Sequence, residues 1–578
     1  MKARITIILL ALSTFLLDSC SEFLDFKPKG TLTKAEVSTV VNGEALINAA
    51  YAAIGNDFWD RSITSMWVYG SVRSDDAYKG GGSVPDQFTV NRFEQYNLTT
   101  PNENDYLPNT WTQLFAVVSR ANFAINAITA LTAAEFPNRD RRIAEMKFLR
   151  AHAHFIGKVI FDRIPYIDET LTREQILEKS NVEFTSDQLW DKIAADFQAA
   201  ITGLPNSQGA DVGRANALAA KAYLAKVRLY QAYVQDPATH SVTSINASRL
   251  NEVLTLTNDV ISSGRYSLQP DFGENFLNGF DNGPESVFAI QYSINDGTEI
   301  GRLSMSTSLN YSVAPQYGCC YFHIPSQNMV NAFRTDPANG LPMFDTFNNT
   351  AINETQITTT GVTVDPRIDH TVGIAGHPFK YNASVPYAHT WERASAIYGG
   401  FGNMKEQQLA DCPCFKKVGP FYGSSKNIDV IRYADVLLMR AEALIELGQQ
   451  DAARPLINQV RARAATSTGR TKLANGTNPS NYMVSQYDGV NPAWTQANAR
   501  RAMQWERRLE FAMESPRFFD LVRWGIAAET LNAYLAVEKT RRSFLSAAVF
   551  TKGRDEYYPI PQREINFTKG LYKQNPLY

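Results

Sequence analysis

Cysteine is scarce in this chain, with five in 578 residues. So sparse a set cannot staple a disulfide-built mini-domain, and the core has to come from apolar burial. Histidine is equally thin at seven residues. Two of them, His152 and His154, are two apart in a helical stretch and face different ways, so they are not joint metal ligands. Charge of one sign is missing too: 56 Lys and Arg stand against 58 Asp and Glu, a formal net charge of -2. No net positive field draws in nucleic acid or an anionic membrane surface. There is no phosphate-cradling glycine loop, no GxSxG elbow and no HExxH pair, which removes the common motifs of nucleotide, serine-hydrolase and zinc chemistry. Beyond the first twenty residues no apolar run is long enough to span a bilayer.

What is there begins with a targeting segment. Lys2 and Arg4 precede an apolar stretch, Ile5 to Leu17, too short for a stable membrane span. Leu17, Ser19 and Cys20 are spaced as in a lipoprotein signal box, although Asp18 departs from the small or uncharged residue usual there. Residues 1–19 therefore read as a signal peptide. Cys20 reads as the lipidated first residue of a mature body tethered to a membrane by its acyl chains. The other cysteines form two tight clusters, Cys319 with Cys320 and Cys412 with Cys414. Four thiols in an exported chain allow three pairings. Either the clusters are cross-linked, or each closes on itself at a cost in strain. His323 lies near, but the spacings are not those of a zinc finger, and no metal is expected.

The body is organised around helical hairpins. In Arg432 to Ala464, residues Ala434, Leu437, Leu438, Ala441, Leu444 and Ile445 line one face at a 3.6-residue period. Gly448 breaks the pattern, Asp451 is available as a cap, and a second face runs through Ala453, Leu456, Ile457 and Val460. Such a tetratricopeptide-like hairpin needs neighbours to bury its outer faces. Helical periodicity supplies them from near Thr33 to Ile54, from Asn109, over Ile143–Phe161, Ser186–Leu204, Arg214–Tyr233 and Leu250–Ser262, and again over Trp494–Ser515. Between about Tyr266 and Asn427 helices are few and Gly, Pro, Asn and Thr are frequent. Glu285–Gln291 predicts a strand there and Gln327–Phe333 a short helix. A long irregular segment rich in aromatics is a functional one rather than a disordered one. The fold class is mainly α: a superhelix of hairpins carrying an irregular, partly β insertion. Its parts are a helical part over 20–265, the insertion over 266–427 and a second helical part over 428–578. The Pro-rich, aromatic tail from Tyr557 to Tyr578 is expected to dock on the body.

A set of motifs in fixed order resembles the SusD/RagB family of nutrient-binding outer-membrane lipoproteins. They are Cys20-Ser21-Glu22-Phe23-Leu24-Asp25, Leu46-Ile47-Asn48-Ala49-Ala50-Tyr51, Trp111 with Arg120-Ala121-Asn122, and Phe148-Leu149-Arg150-Ala151 with Ile164-Pro165. Asp365-Pro366-Arg367 follows, then Arg432-Tyr433-Ala434-Asp435 through Ala443. The set ends with Glu506-Arg507-Arg508-Leu509-Glu510, Arg517-Phe518-Phe519-Asp520-Leu521 with Arg523-Trp524, Pro559-Ile560-Pro561 and Gln574-Asn575-Pro576. The resemblance implies four tetratricopeptide-like hairpins, with the ligand surface on the more irregular part. It implies a lipid-anchored protein at the cell surface that captures oligosaccharides, or peptides in some branches, and delivers them to a SusC-like TonB-dependent transporter. It implies no catalysis and no cofactor; a pure lid and a surface glycoside hydrolase are the alternatives.

Two groups of residues bear on those alternatives. Glu506, Glu510, Glu514 and Asp520 could be a glycosidase's acids, but they interleave with Arg507, Arg508, Arg517 and Arg523 at helical spacings that favour ion pairs. A sugar site needs a flat aromatic platform and polar partners for hydroxyls in a shallow concavity. The loop Asp75, Asp76, Tyr78, Lys79 and Gly80 to Gly82 offers the polar half. The insertion offers Tyr311, Tyr317, Tyr321, Phe322, Tyr387, Trp391 and Tyr398, with Arg393 and Asn403. The expected ligand set is Asp76, Tyr78, Tyr317, Tyr321, Trp391 and Arg393. The alternatives are that these rings pack the insertion onto the hairpins, and that Asp75 and Asp76 hold calcium.

The signal segment generates one prediction. Mass spectrometry of the native protein should find Cys20 as the first residue, carrying lipid; a different start, or a free thiol at Cys20, would sink this reading.

Overall fold

Several helices start where a short polar side chain can receive a first-turn amide. Asn216 and Asn246 accept from the backbone N–H of Ala219 and Arg249, and Thr185 forms a reciprocal capping box with Gln188. The computed structural model describes residues 39–56, 58–98, 106–299, 301–314, 317–353 and 362–578. The signal segment, Cys20 and the start of the first helix near Thr33 lie outside the described residues.

The helices of eight or more described residues are α1 Val40–Ile54, α2 Tyr106–Thr129, α3 Arg139–Phe161, α4 Ser186–Gly203, α5 Ala217–Ala232 and α6 Ala247–Ser262. After the insertion come α7 Tyr433–Glu446, α8 Gln450–Thr466, α9 Gln496–Glu510, α10 Pro516–Arg523 and α11 Ala527–Arg541. Each packs on the next from α1 to α8, so the array is continuous although the insertion separates α6 from α7 in sequence. Small residues make this close approach possible: Ala219, Ala220, Ala222 and Ala225 on α5, and Ala434, Ala441 and Ala453 on α7 and α8, are fully buried. Arg440 on α7 donates to the carbonyl of Leu254 on α6 at 2.7 Å, joining the two halves.

The predicted hairpin at 432–464 is present. Its turn differs in one detail: Asp451 is not the cap of α8, which begins after Gln449 without a side-chain cap, and Asp451 instead places its charge in the first turn. The helix predicted to Ser515 stops at Glu510. Met513 and Ser515 adopt left-handed backbone angles, and the Ser515 carbonyl lies where a Cβ on Gly70 would sit, 1.9 Å away. Helix α11 and the hairpin Tyr233–Gln235 with Val242–Ile245 were not predicted; α11 lacks a clean apolar stripe, and the hairpin strands are only three and four residues long.

The insertion is closed at its base. Strand Ser286–Ile290 pairs antiparallel with Ile428–Arg432, so the segment leaves and returns through one ladder. Strand Phe322–Pro325 pairs with Ala77–Gly80 and ties the insertion to the loop before α2. The tail docks as expected: Tyr558 donates its amide to Ile160 at 2.9 Å, and Asn575 donates to Phe161 at 2.8 Å, at the end of α3.

The acids of α9 are answered by arginines, but not by those on their own helix. Glu510 meets Arg432 at 2.9 Å, Arg367 at 3.0 Å and Arg463. Glu506 meets Arg367 at 2.7 Å and Arg461 at 3.0 Å. Glu285, next to the base ladder, binds Arg432 and, at 2.8 Å, Arg463. The expectation of helical i, i+3 and i, i+4 pairs gives way to tertiary pairing because Glu506 and Glu510 point inward and are buried, out of reach of surface neighbours. Asp520 does pair locally, with Arg523 at 2.9 Å, and also with Arg507 at 2.9 Å.

Two predictions follow from this packing. Ala441→Trp should cost about 1–3 kcal/mol by overpacking the α7 contact, read as a lower denaturation midpoint at unchanged slope; an unchanged midpoint would show Ala441 outside the contact. Glu510→Gln should cost about 3–5 kcal/mol at neutral pH by removing the carboxylate that the buried guanidiniums of Arg367, Arg432 and Arg463 share, which leaves the network with an excess buried positive charge. Burial alone would raise the Glu510 carboxyl, but Arg463, Arg432 and Arg367 outweigh it and hold it well below the ordinary range. A depressed carboxyl stabilises fully above its unfolded value and loses that contribution as pH falls toward its folded one. The gap between the wild type and Glu510→Gln should therefore narrow below about pH 4 in urea titrations; a gap constant from pH 7 to pH 3 would contradict the assignment.

Candidate functional site

The predicted loop and the predicted insertion aromatics do meet. Strand Ala77–Gly80 carries the loop onto Phe322–Pro325, and the Lys79 ammonium closes it from inside. That ammonium donates to the carbonyls of Gly80 and Ser83, both at 3.0 Å, and of Asp86, and it sits 5.4 Å from the ring centres of Phe322 and Tyr398. Burial lowers Lys79 to about 8, against the pull of Glu94 and Asp86, and raises the Glu94 carboxyl that accepts its backbone amide. Gly81 has φ +84, and a Cβ there would stand 2.5 Å from Phe322. A Cβ on Gly82 would stand 2.5 Å from the Arg393 guanidinium. The glycine run lets the loop lie directly against the insertion.

Four of the six expected ligand residues form this joint rather than a solvent-facing platform. Asp76 is buried and binds Arg508 at 3.1 Å, while Asp75 binds Arg508 at 3.0 Å and Arg517 at 2.8 Å. Burial would raise the Asp75 carboxyl, but the two arginines outweigh it and hold it at about 2. Asp75 is thus engaged by guanidiniums through both oxygens and Asp76 through one, and among the described residues neither belongs to a group of three His, Cys, Asp or Glu side chains arranged for a metal. The Tyr78 hydroxyl donates to Glu538 and accepts from the Gln327 amide at 3.0 Å. Tyr317, 2% exposed, donates to the Gln408 carbonyl and packs among Tyr311, Phe379, Phe415 and Tyr422. Tyr321, 1% exposed, is hydrogen-bonded to Tyr387, whose hydroxyl donates to Glu392 at 3.1 Å. Tyr311, Phe322, Tyr398 and Asn403 are buried as well. Lack of helical periodicity does not leave a ring in water when the chain around it folds back on itself.

Trp391 and Arg393 do reach the surface. Trp391 is half-buried, held edge-on by Phe379 at 5.1 Å and Tyr387 at 5.3 Å, and its carbonyl accepts from the Val313 amide at 3.2 Å. Arg393, with 38% of its side chain exposed, binds Asp86 at 3.0 Å and the Cys320 carbonyl at 3.2 Å. Asp86 also accepts the Gly82 amide at 2.8 Å. Cys319 is bridged to Cys320, and Cys412 to Cys414, so each cluster closes on itself and the alternative of a cross-link between them is not realised. Phe88, two residues past Asp86, is 58% exposed. Asp86 and Phe88 escaped the sequence reading. The signal was the Pro85-Asp86 turn followed by a helix, Phe88–Glu94, whose buried apolar residues are Val90 and Phe93 and so leave Phe88 off the face.

The rim therefore offers a partly exposed indole and a partly exposed cation–carboxylate pair on a rigid, aromatic-packed support. Among the described residues no group of three His, Cys, Asp or Glu side chains is arranged to hold a metal, and no helix is long and apolar enough to cross a membrane.

Comparison with known proteins adds the family. Residues 284–578 match the model of the SusD family, and residues 22–229 match a second model described as starch-binding associating with outer membrane. SusD-like protein P2 of Formosa agariphila is 24% identical over 597 aligned residues, covering 100% of both chains. A SusD-like protein of Bacteroides ovatus is 26% identical over 297 residues, 50% of each chain. Among solved structures, a SusD homolog from Bacteroides thetaiotaomicron superposes with a TM-score of 0.69 at 18% identity, covering 95% of this chain and 99% of the other. Surface glycan-binding protein A from Bacteroides thetaiotaomicron in complex with laminarihexaose gives 0.65 at 20% identity, covering 93% and 100%. A laminarin-binding SusD-like protein gives 0.64 at 21% identity with the same coverage. The helical array, the buried arginine–carboxylate motifs and a family match over more than half of the residues lead to one conclusion: this chain belongs to the SusD family.

Proposed function

We propose that this protein is a non-enzymatic, surface-exposed lipoprotein of the outer membrane that captures oligosaccharides and delivers them to a SusC-like TonB-dependent transporter. The observation that carries the binding role is the rim at Trp391, Arg393 and Asp86. A sugar ring presents an apolar C–H face and a fringe of hydroxyls; the indole takes the first, and the guanidinium and carboxylate take the second. An exposed ion pair is worth about 0–1 kcal/mol, so exchanging part of it for ligand hydroxyls costs little. Support for a glycan as ligand comes from relatives whose names state laminarin and laminarihexaose. Support for a role without catalysis comes from the acids of α9, which are engaged by buried arginines and have no open cleft between them. The lipid anchor rests on Cys20, and the transporter partnership on family membership.

The test is calorimetric titration of the mature chain with laminarihexaose and maltohexaose. Trp391→Ala should weaken binding by about 1–3 kcal/mol, in the manner of a truncated hot spot, with the melting temperature nearly unchanged. Arg393→Met should weaken it less. Wild-type affinity in both variants would move the ligand site elsewhere.

A further inference from the structure

A second concavity lies far along the chain from the rim and shares no residue with it. It is a half-open cavity of about 620 Å³, within the range of small-molecule sites. The end of α3, the start of α4 and the end of α5 form one side; the Tyr233–Ile245 hairpin, α10 and Tyr557 of the tail form the other. The gap exists because α5 ends at Ala232 and the chain turns away into a strand, where the Gln235 amide is held by the Val522 carbonyl of α10 at 2.6 Å.

The walls are aromatic. Trp190 and Tyr230 lie 5.8 Å apart, and Tyr557 meets His240 edge-on at 4.9 Å. Phe184 and Phe519 extend the lining, and the exposed Val182 and Val234 stand at the mouth. Polar groups in this protein's interior are generally paired, as Tyr78 is with Glu538 and Tyr233 with Glu442. Four side chains at this cavity instead carry polar groups that reach its open space. The hydroxyls of Tyr230 and Tyr557, the imidazole of His240 and the guanidinium of Arg163 make no hydrogen bond or ion pair with a described residue, although all line the same cavity. Burial lowers His240, so at neutral pH its ring offers one donor and one acceptor.

The charges nearly cancel. Lys158 is paired with Asp162, and Arg523 is engaged by Glu442 and Asp520. Glu183 is bound by Lys179, and Asp236 is tied into its own turn by Thr239. The two remaining lining charges, Arg163 and Asp187, are of opposite sign, so the fitting ligand is neutral overall, ring-shaped and rich in hydroxyls.

The geometry points to a second carbohydrate pocket, between the helical hairpins and the tail, that takes one end of a short neutral oligosaccharide against Tyr230, Tyr557, His240 and Arg163. This rests on the reading of the protein as a glycan binder for its ligand class, and on the cavity alone for its place. The sugar would enter past Val182 and Val234, stack on the phenol rings and satisfy the four unpartnered groups.

The experiment titrates laminaribiose, cellobiose and maltose into the mature wild type, Trp391→Ala, Tyr230→Phe with Tyr557→Phe, and the triple variant, with melting temperatures as the folding control. The phenylalanine replacements keep the rings and remove only the two hydroxyls. The expected result is that one disaccharide still binds Trp391→Ala and that affinity falls about tenfold on adding the two Phe changes. Binding lost in Trp391→Ala but untouched by the Phe pair would overturn the second pocket and leave the rim standing. Binding untouched by Trp391→Ala but weakened by the Phe pair would keep the pocket and remove the rim. No binding of any disaccharide to the wild type would overturn the pocket as a sugar site.

Discussion

A carboxylate removed from water must be answered by cations, and Glu510, 0% exposed, is answered by three. Arg367 comes from the insertion, Arg432 from the end of the base ladder and Arg463 from the second helix of the central hairpin. Glu285 closes the ring by binding Arg432 and Arg463 from the residue just before the other strand of that ladder. Desolvating so many charges leaves little net stabilisation, yet breaking any one contact strands the remainder. The network therefore acts chiefly on geometry. The insertion can meet the helical array in one register only, because any other leaves a buried ion without a partner.

That constraint reaches the surface through a second, smaller set of pairs. Arg508 of α9 binds Asp75 and Asp76, and Arg517 of α10 binds Asp75, so the loop before α2 is fixed to the same helix that carries Glu510. Lys79 then holds the glycine run by its carbonyls and lies between Phe322 and Tyr398. The rim stands on rigid elements at both ends, even though its own residues are in irregular backbone.

The helical array was legible because burial along a helix repeats every 3.6 residues, and that repeat is written in positions such as Leu437, Ala441 and Leu444. The motif residues Arg432, Asp365-Pro366-Arg367 and Glu506 to Glu510 were legible as a set, and the structure gives them a single physical role, the buried ion network. Which of the expected ligand residues reach the surface was legible only in part. In the insertion, burial comes from short ladders and from turns folding back, neither of which leaves a period in the sequence. Tyr317 and Tyr321 therefore look the same as Trp391 on the page, yet two are core and one is rim. The same blindness hid the interhelical cavity, whose Trp190, Tyr230 and Tyr557 come from three distant stretches and meet only in three dimensions.

On the proposed reading of the rim as the glycan site, the buried tyrosines bear on binding, though not as contacts. Tyr321 is hydrogen-bonded to Tyr387, Tyr387 to Glu392, and the Tyr387 ring lies edge-on to Trp391. Phe379, which packs on Tyr317, supports Trp391 from another side. The indole is thus held before any ligand arrives, and a ligand need not supply the ordering entropy of a rotamer-rich side chain, about 0.5–1.5 kcal/mol. A shallow site makes few contacts, so a saving of that size is a substantial share of its affinity. The two classes of residue are separable by what their loss changes. Removing Trp391 takes away contact area and some packing on Phe379 and Tyr387 at the edge of the core, whereas removing the Tyr321 or Tyr387 hydroxyl unbonds buried polar groups and loosens the indole, lowering stability and affinity together.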